Sequence, residues 1–203
     1  FVAASLASLY TYGRFAEGAR GPVVHALPLA PADTPIDRAV VPMTRARPGQ
    51  TGMVILSDNI DAFAVRAMTA RAAGRSLDLQ YYIWHADFTG NLIHNELLRA
   101  ADRGVRVRLL LDDMNVHGSN SVLAALDSHP QIEVRLFNPT RAREGTVARG
   151  VELLLRFFSV NRRMHNKIWL ADGRVAVVGG RNIGDEYFDA ADDINFMDTD
   201  VAI

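Results

Sequence analysis

From about residue 52 the chain alternates between two hydrophobic periods. Residues 58–73 carry Ile60, Phe63, Ala64, Ala67 and Met68 at helical spacing, with Gly74 as a stop. Residues 76–84 switch to a period of two: Leu77, Leu79, Tyr81 and Ile83 against Asp78, Gln80 and Tyr82, the pattern of a strand. The alternation then predicts a helix over 91–103 closed by Gly104, a buried strand over 105–111, a short helix over 120–128 and a strand over 132–137. Helical spacing returns over 152–160. Two strands flank Asp172-Gly173, and a last strand ends the sequence. Strands alternating with helices of about a dozen residues predict an α/β fold: an α-β-α sandwich with a mixed, largely parallel sheet flanked by helices.

Residues 21–51 hold six of the eight prolines and little periodicity, which predicts an extended linker wrapped on the domain. The expected organisation is therefore an N-terminal arm over 1–51 and one domain over 52–203. The first twelve residues are uncharged but too few to span a bilayer. They read as the remnant of a longer anchor or signal segment, or as an apolar arm. The far end falls inside a predicted strand, so the expectation is the first half of a longer protein.

Cysteine is absent, which excludes disulfides, thiol catalysis and Cys-ligated metals. A net charge of −1 gives no global attraction to nucleic acid. The charge is unevenly spread. Residues 141–163 carry six arginines against Glu144 and Glu152, whereas 185–200 carry seven acids and no cation. A basic stretch of that kind suits an anionic substrate or an anionic membrane surface.

Lys167 is the only lysine; the other 21 of 22 cations are arginine. A compact ammonium in so arginine-rich a chain suits a tight pocket that needs a point charge. Asp172-Gly173 predicts a two-residue hairpin turn. That register sets His165 opposite Gly180 and Lys167 opposite Val178, with His165, Lys167, Gly180 and Asn182 on one face. Asp172 lies roughly 20 Å from His165 along an extended strand, so its work is in the turn. An imidazole, an ammonium, a carboxamide and approachable backbone N–H groups together form a recipe for holding a phosphate.

The run His165-x-Lys167-x4-Asp172 with Gly179-Gly180-x-Asn182 resembles the signature of the phospholipase D superfamily. Residues 76–84, 87–90, 100–108, 162–167 and 179–188 resemble its bacterial cardiolipin synthase branch, nearest the cardiolipin synthase C type. The resemblance covers roughly residues 50–203. It implies that His165 is one of two active-site histidines, as nucleophile of a phosphohistidine or as general acid. It implies that Lys167 and Asn182 bind phosphoryl oxygens and that Gly179 and Gly180 let the loop approach them. It also implies a carboxylate that orients the imidazole, here Asp198, with Asp200 and Asp193 as rivals. The function implied is a phosphatidyltransferase at the bacterial inner membrane, without metal or cofactor. A nuclease of the same superfamily and a non-catalytic half-domain are the alternatives. The family's site needs two such motifs. His85, His94, His117 and His129 each lack a lysine two residues on, so the second motif would lie beyond residue 203 or in a second copy.

Two further stretches have structural expectations. Val151–Val160 would be a core helix, with contact to acyl chains as the alternative. Tyr81, Tyr82 and Trp84 would be packing residues, with an approach of their strand end to the site as the alternative. Asp112-Asp113 follows a buried strand, where ligands often bind, but lacks metal-type spacing. His117 would be a polar surface residue.

Overall fold

The computed structural model describes residues 2–7, 10–11, 22–28, 33–116, 119–140, 146–155 and 161–203. His117, Phe157 and Phe158 lie outside them. Helix α1 (Pro35–Ala46) falls inside the expected linker and corrects that reading. Thr34 and Asp37 form a reciprocal capping box and Pro35 sits in the first turn, where its missing N–H costs nothing. Ile36 and Asp37 are buried, and Asp37 ion-pairs with Arg75 and Arg174 of the domain. Of the expected linker, residues 22–28 do lie extended on the domain. Their backbone accepts from Arg106 at His25 and from Arg135 at Pro22.

A short strand β1 (Val54–Leu56) leads to α2 (Asn59–Ala72), β2 (Ser76–Tyr81) and α3 (Phe88–Asp102). Then come β3 (Arg106–Asp112), α4 (Asn120–Asp127), β4 (Ile132–Phe137) and α5 (Thr146–Leu155). Strands β5 (Lys167–Ala171), β6 (Val175–Gly179) and β7 (Asp200–Ala202) complete a seven-stranded sheet. Its order is β1-β7-β6-β5-β2-β3-β4. Only β2-β3 and β3-β4 are parallel; the other four pairings are antiparallel. The mixed sheet is as expected, but its balance is not. Helical crossovers permit the parallel half, whereas the connection from β5 to β6 is too short for anything but antiparallel pairing.

Leu77, Leu79, Tyr81, Val107, Leu109, Leu111, Trp169 and Ala171 alternate along their strands into one core with Ala62, Ala70, Ile93 and Leu97 of α2 and α3. The Trp169 indole N–H donates to Thr69 of α2 at 2.9 Å, so burying that ring strands no donor. This core fixes β5, and β5 carries Lys167.

Candidate functional site

The turn end of the β5–β6 hairpin is a fully bonded joint. The Asp172 carboxylate accepts from the backbone N–H of Gly74, Arg75 and Ser76 at 2.7–3.2 Å, and its own N–H donates to Ser76 O at 2.7 Å. Asp172 and Gly173 both take left-handed φ, +54° and +65°. The turn nevertheless holds three residues, because Arg174 also stays outside the ladder and reaches Asp37 at 2.7 Å. Ala171 therefore pairs with Val175, one residue out from the expected register. Continued to the open end, that register sets Gly179, rather than Val178, level with Lys167. The ladder stops at Gly179, and Ile183 bridges to Trp84 instead. Asn182 thus arrives by a break in the strand, not by strand parity.

At the open end the Lys167 ammonium lies 2.9 Å from His165 Nδ1 and 3.0 Å from the His165 carbonyl. Lys167 is only 9% exposed, whereas His165 is open to solvent. When the ammonium donates, Nδ1 accepts, and the proton of a neutral ring sits on Nε2. Tyr82 packs its ring 4.3 Å from the His165 ring and 5.4 Å from the Lys167 ammonium. Of the three aromatics at the end of β2, Tyr81 and Trp84 pack in the core, and Tyr82 reaches the site, the alternative for this strand end. Burial pushes the Lys167 pKa down, and the charge of Asp198 partly offsets this.

The glycine pair makes room for carboxylates. A Cβ on Gly179 would come within 2.1 Å of Asp200 Oδ1, and one on Gly180 within 2.1 Å of Asp198 Oδ1. Asp200 is fully buried and lies 2.8 Å from Arg66 Nη2 and 3.5 Å from Arg181 Nη1. Arg66 also donates to Tyr81 and Ala62, and Arg181 to Asn59, Leu56 and Ser57. Asp200 is therefore occupied by a closed ionic network, which removes it as a partner for His165. Asp193 is exposed on the preceding loop. Asp198 accepts from Thr199 N–H at 2.7 Å; among the described residues no hydrogen bond joins it to His165. Its field acts on Lys167 instead.

Asn182 is 3% exposed and already engaged: Oδ1 accepts from Ile83 N–H at 3.0 Å and Nδ2 donates to the Tyr187 hydroxyl at 2.9 Å. One amide N–H is left for a ligand. Sequence reasoning missed several supports. Asp112 accepts from Met164 N–H at 3.0 Å and meets Arg163 at 3.1 Å, which fixes the entry to His165; Asp113 accepts from the Thr140 N–H and hydroxyl. Asp87 caps α3 at Gly90 and accepts from Asp185 N–H, while Asp185 accepts from Thr89 N–H. That exchange ties the loop after Asn182 to the helix. His85, Asp87 and Glu186 stand close enough to ligate an ion. His85 Nδ1 lies 3.2 Å from Glu186, so a direct side-chain contact accounts for the group.

The family profile described as "Cardiolipin synthase, PLD-like domain" matches residues 68–203. Cardiolipin synthase C of Escherichia coli is 52% identical over 163 residues, 80% of this chain and 34% of that protein. A cardiolipin synthase of Oceanobacillus iheyensis is 31% identical over 137 residues, 67% of this chain and 26% of that protein. The chain thus spans about a third or less of the length of these relatives. Among solved structures, phosphatidylserine synthase of Haemophilus influenzae superposes with a TM-score of 0.56 at 15% identity over 74% of this chain and 33% of that one. NucT of Helicobacter pylori gives 0.53 at 20% identity over 74% and 82%. Those likenesses show the fold, and the profile match shows the family: the chain belongs to the phospholipase D-like domain family of the cardiolipin synthases.

Proposed function

We propose that this chain is one half of a phospholipase D-type phosphatidyltransferase of the cardiolipin synthase kind. The observation that carries the reading is the single lysine, nearly buried, with its ammonium 2.9 Å from His165 Nδ1. A phosphodiester entering from solvent would draw that ammonium onto its oxygens, joined by the remaining N–H of Asn182. Nδ1 is then free to hold the ring proton, with Asp198 as the carboxylate that stabilises it, and Nε2 can attack phosphorus. The N–P bond forms as the P–O bond to the leaving alcohol breaks, and that alcohol takes a proton from the second histidine. The hydroxyl of a second lipid, such as phosphatidylglycerol, then attacks phosphorus. The N–P bond breaks and the hydroxyl proton passes to the same second histidine. The mirror assignment makes His165 that acid. Either way a second His-x-Lys motif is needed, from the rest of a longer protein or from another copy.

Phospholipid is favoured over nucleic acid by the names of the similar cardiolipin synthases. The chain's near-neutral net charge of −1 also lacks the clearly basic excess that nucleic-acid binding usually brings. The place of action is then an anionic membrane surface, as at the bacterial inner membrane. The test offers the full-length protein phospholipid vesicles and DNA side by side, with and without chelator. The expected result is lipid turnover that survives chelator and is lost in His165→Ala. DNA cleavage without lipid turnover would make the chain a nuclease. Turnover unchanged in His165→Ala would make this half non-catalytic.

A further inference from the structure

The connection from β4 to β5 leaves the carboxyl edge of the sheet and returns to it. Asn138 Nδ2 donates to the Arg162 carbonyl at 2.8 Å, and Asp112 at the end of β3 takes Met164 N–H at 3.0 Å. His165 follows at once. Helix α5 rides on this excursion. Val147, Val151 and Leu154 lie at i, i+4 and i+7, a narrow stripe, and are 80%, 53% and 68% exposed. Of the expected core helix over 151–160, residues 151–155 are helical but expose Val151 and Leu154, and 156–160 lie outside the described helix. An apolar stripe at helical spacing, held in water, calls for a partner.

Charge identifies the partner. Residues 141–163 carry six arginines and two glutamates. The loop that precedes β7 also exposes apolar side chains, Ile194 at 67% and Met197 at 98%. It lies, however, in a stretch, 185–198, that carries six acids and no cation. An anionic surface is drawn to the first region and repelled by the second. We propose that α5 is an interfacial helix that lays Val147, Val151 and Leu154 into an anionic lipid surface. The choice of a lipid partner rests on the phospholipid reading above. The arrangement is that of a helix lying in the headgroup plane with its apolar stripe toward the lipid.

Sedimentation with vesicles tests this without needing turnover. The chain is mixed with vesicles of pure phosphatidylcholine and of phosphatidylcholine with phosphatidylglycerol. Binding only to the mixed vesicles is expected. Val151→Asp and Leu154→Asp should each weaken it by about tenfold, the order expected from burying one such side chain. Val151→Ser, which disturbs the helix less, should weaken it in the same direction. Met197→Asp and His165→Ala should bind as wild type does. Variants of α5 that retain full vesicle binding would overturn the proposal. So would a dimer that Val151→Asp dissociates, since the stripe would then belong to a second copy. Because binding does not require chemistry, a full-length wild-type protein that binds the mixed vesicles but turns over no lipid would sink the enzymatic reading and leave this one standing.

Discussion

The two ends of the β5–β6 hairpin carry the same motif and have opposite characters. At the turn, Asp172 is buried and its carboxylate is saturated by three backbone N–H groups. At the open end, Lys167 shares its ammonium between a side chain and a carbonyl of one neighbour, and His165 faces solvent. A saturated carboxylate stabilises and has nothing left to offer a ligand. A buried ammonium whose partners are both supplied by His165 can be drawn off by a phosphate. The motif is thus part joint and part chemistry, and its compact spacing does not mean one shared task.

Substitutions should separate the two ends. His165→Ala in the full-length protein should lower turnover by at least about three orders of magnitude, the scale of a lost nucleophile or general acid. Lys167→Arg should behave alike, because a flat fork does not replace a point charge. His165→Ala should stay within about 0.5 kcal/mol of wild-type stability in denaturant titrations, because its side chain is exposed. Next in size, Asp200→Ala leaves two buried guanidiniums without their carboxylate and should cost about 3–5 kcal/mol in the same titration. Asp172→Ala should cost about 3 kcal/mol, since buried N–H groups at the start of β2 lose their acceptor. If Asp172→Ala were neutral in stability but inactive, the division between joint and chemistry would collapse.

The smallest effect is a shift in pH dependence. Burial lowers the Lys167 pKa from its ordinary 10.5, so the ammonium, and activity with it, should be lost below that value as pH rises. Asp198 opposes the shift. Asp198→Asn removes that opposition, so the alkaline limb of the rate profile should move to lower pH. A limb that moved upward, or not at all, would show that Asp198 does not act on this lysine.

Much of this was legible in the sequence. The helices and strands up to Phe137 follow the alternation of periods, because each element is long enough to show its own. The three-residue β1 is too short for any period. Helix α1 was hidden by prolines, although Thr34, Pro35 and Asp37 spell a capped start. The hairpin was foreseen but not its register, because one residue, Arg174, is held out of the ladder by Asp37 across 137 positions of sequence. His165 and Lys167 were identified by their spacing, and their contact supports the choice. The partition of the carboxylates was not readable. Asp198 and Asp200 share strand parity, and only the burial of Arg66 and Arg181, two among 21 arginines, separates them. Nor does sequence say that Gly179 and Gly180 are bare because those carboxylates occupy the space a Cβ would fill.

The claim that the open end is the reactive one is tested most directly by trapping the covalent intermediate. The full-length protein is quenched during turnover of a phospholipid and its peptides are weighed by mass spectrometry. The account expects a phosphoryl adduct on His165, or, if His165 is the acid, on the second motif's histidine with accumulation when His165 is replaced by Ala. An adduct on any other side chain, or turnover that forms no histidine adduct in either protein, would contradict it.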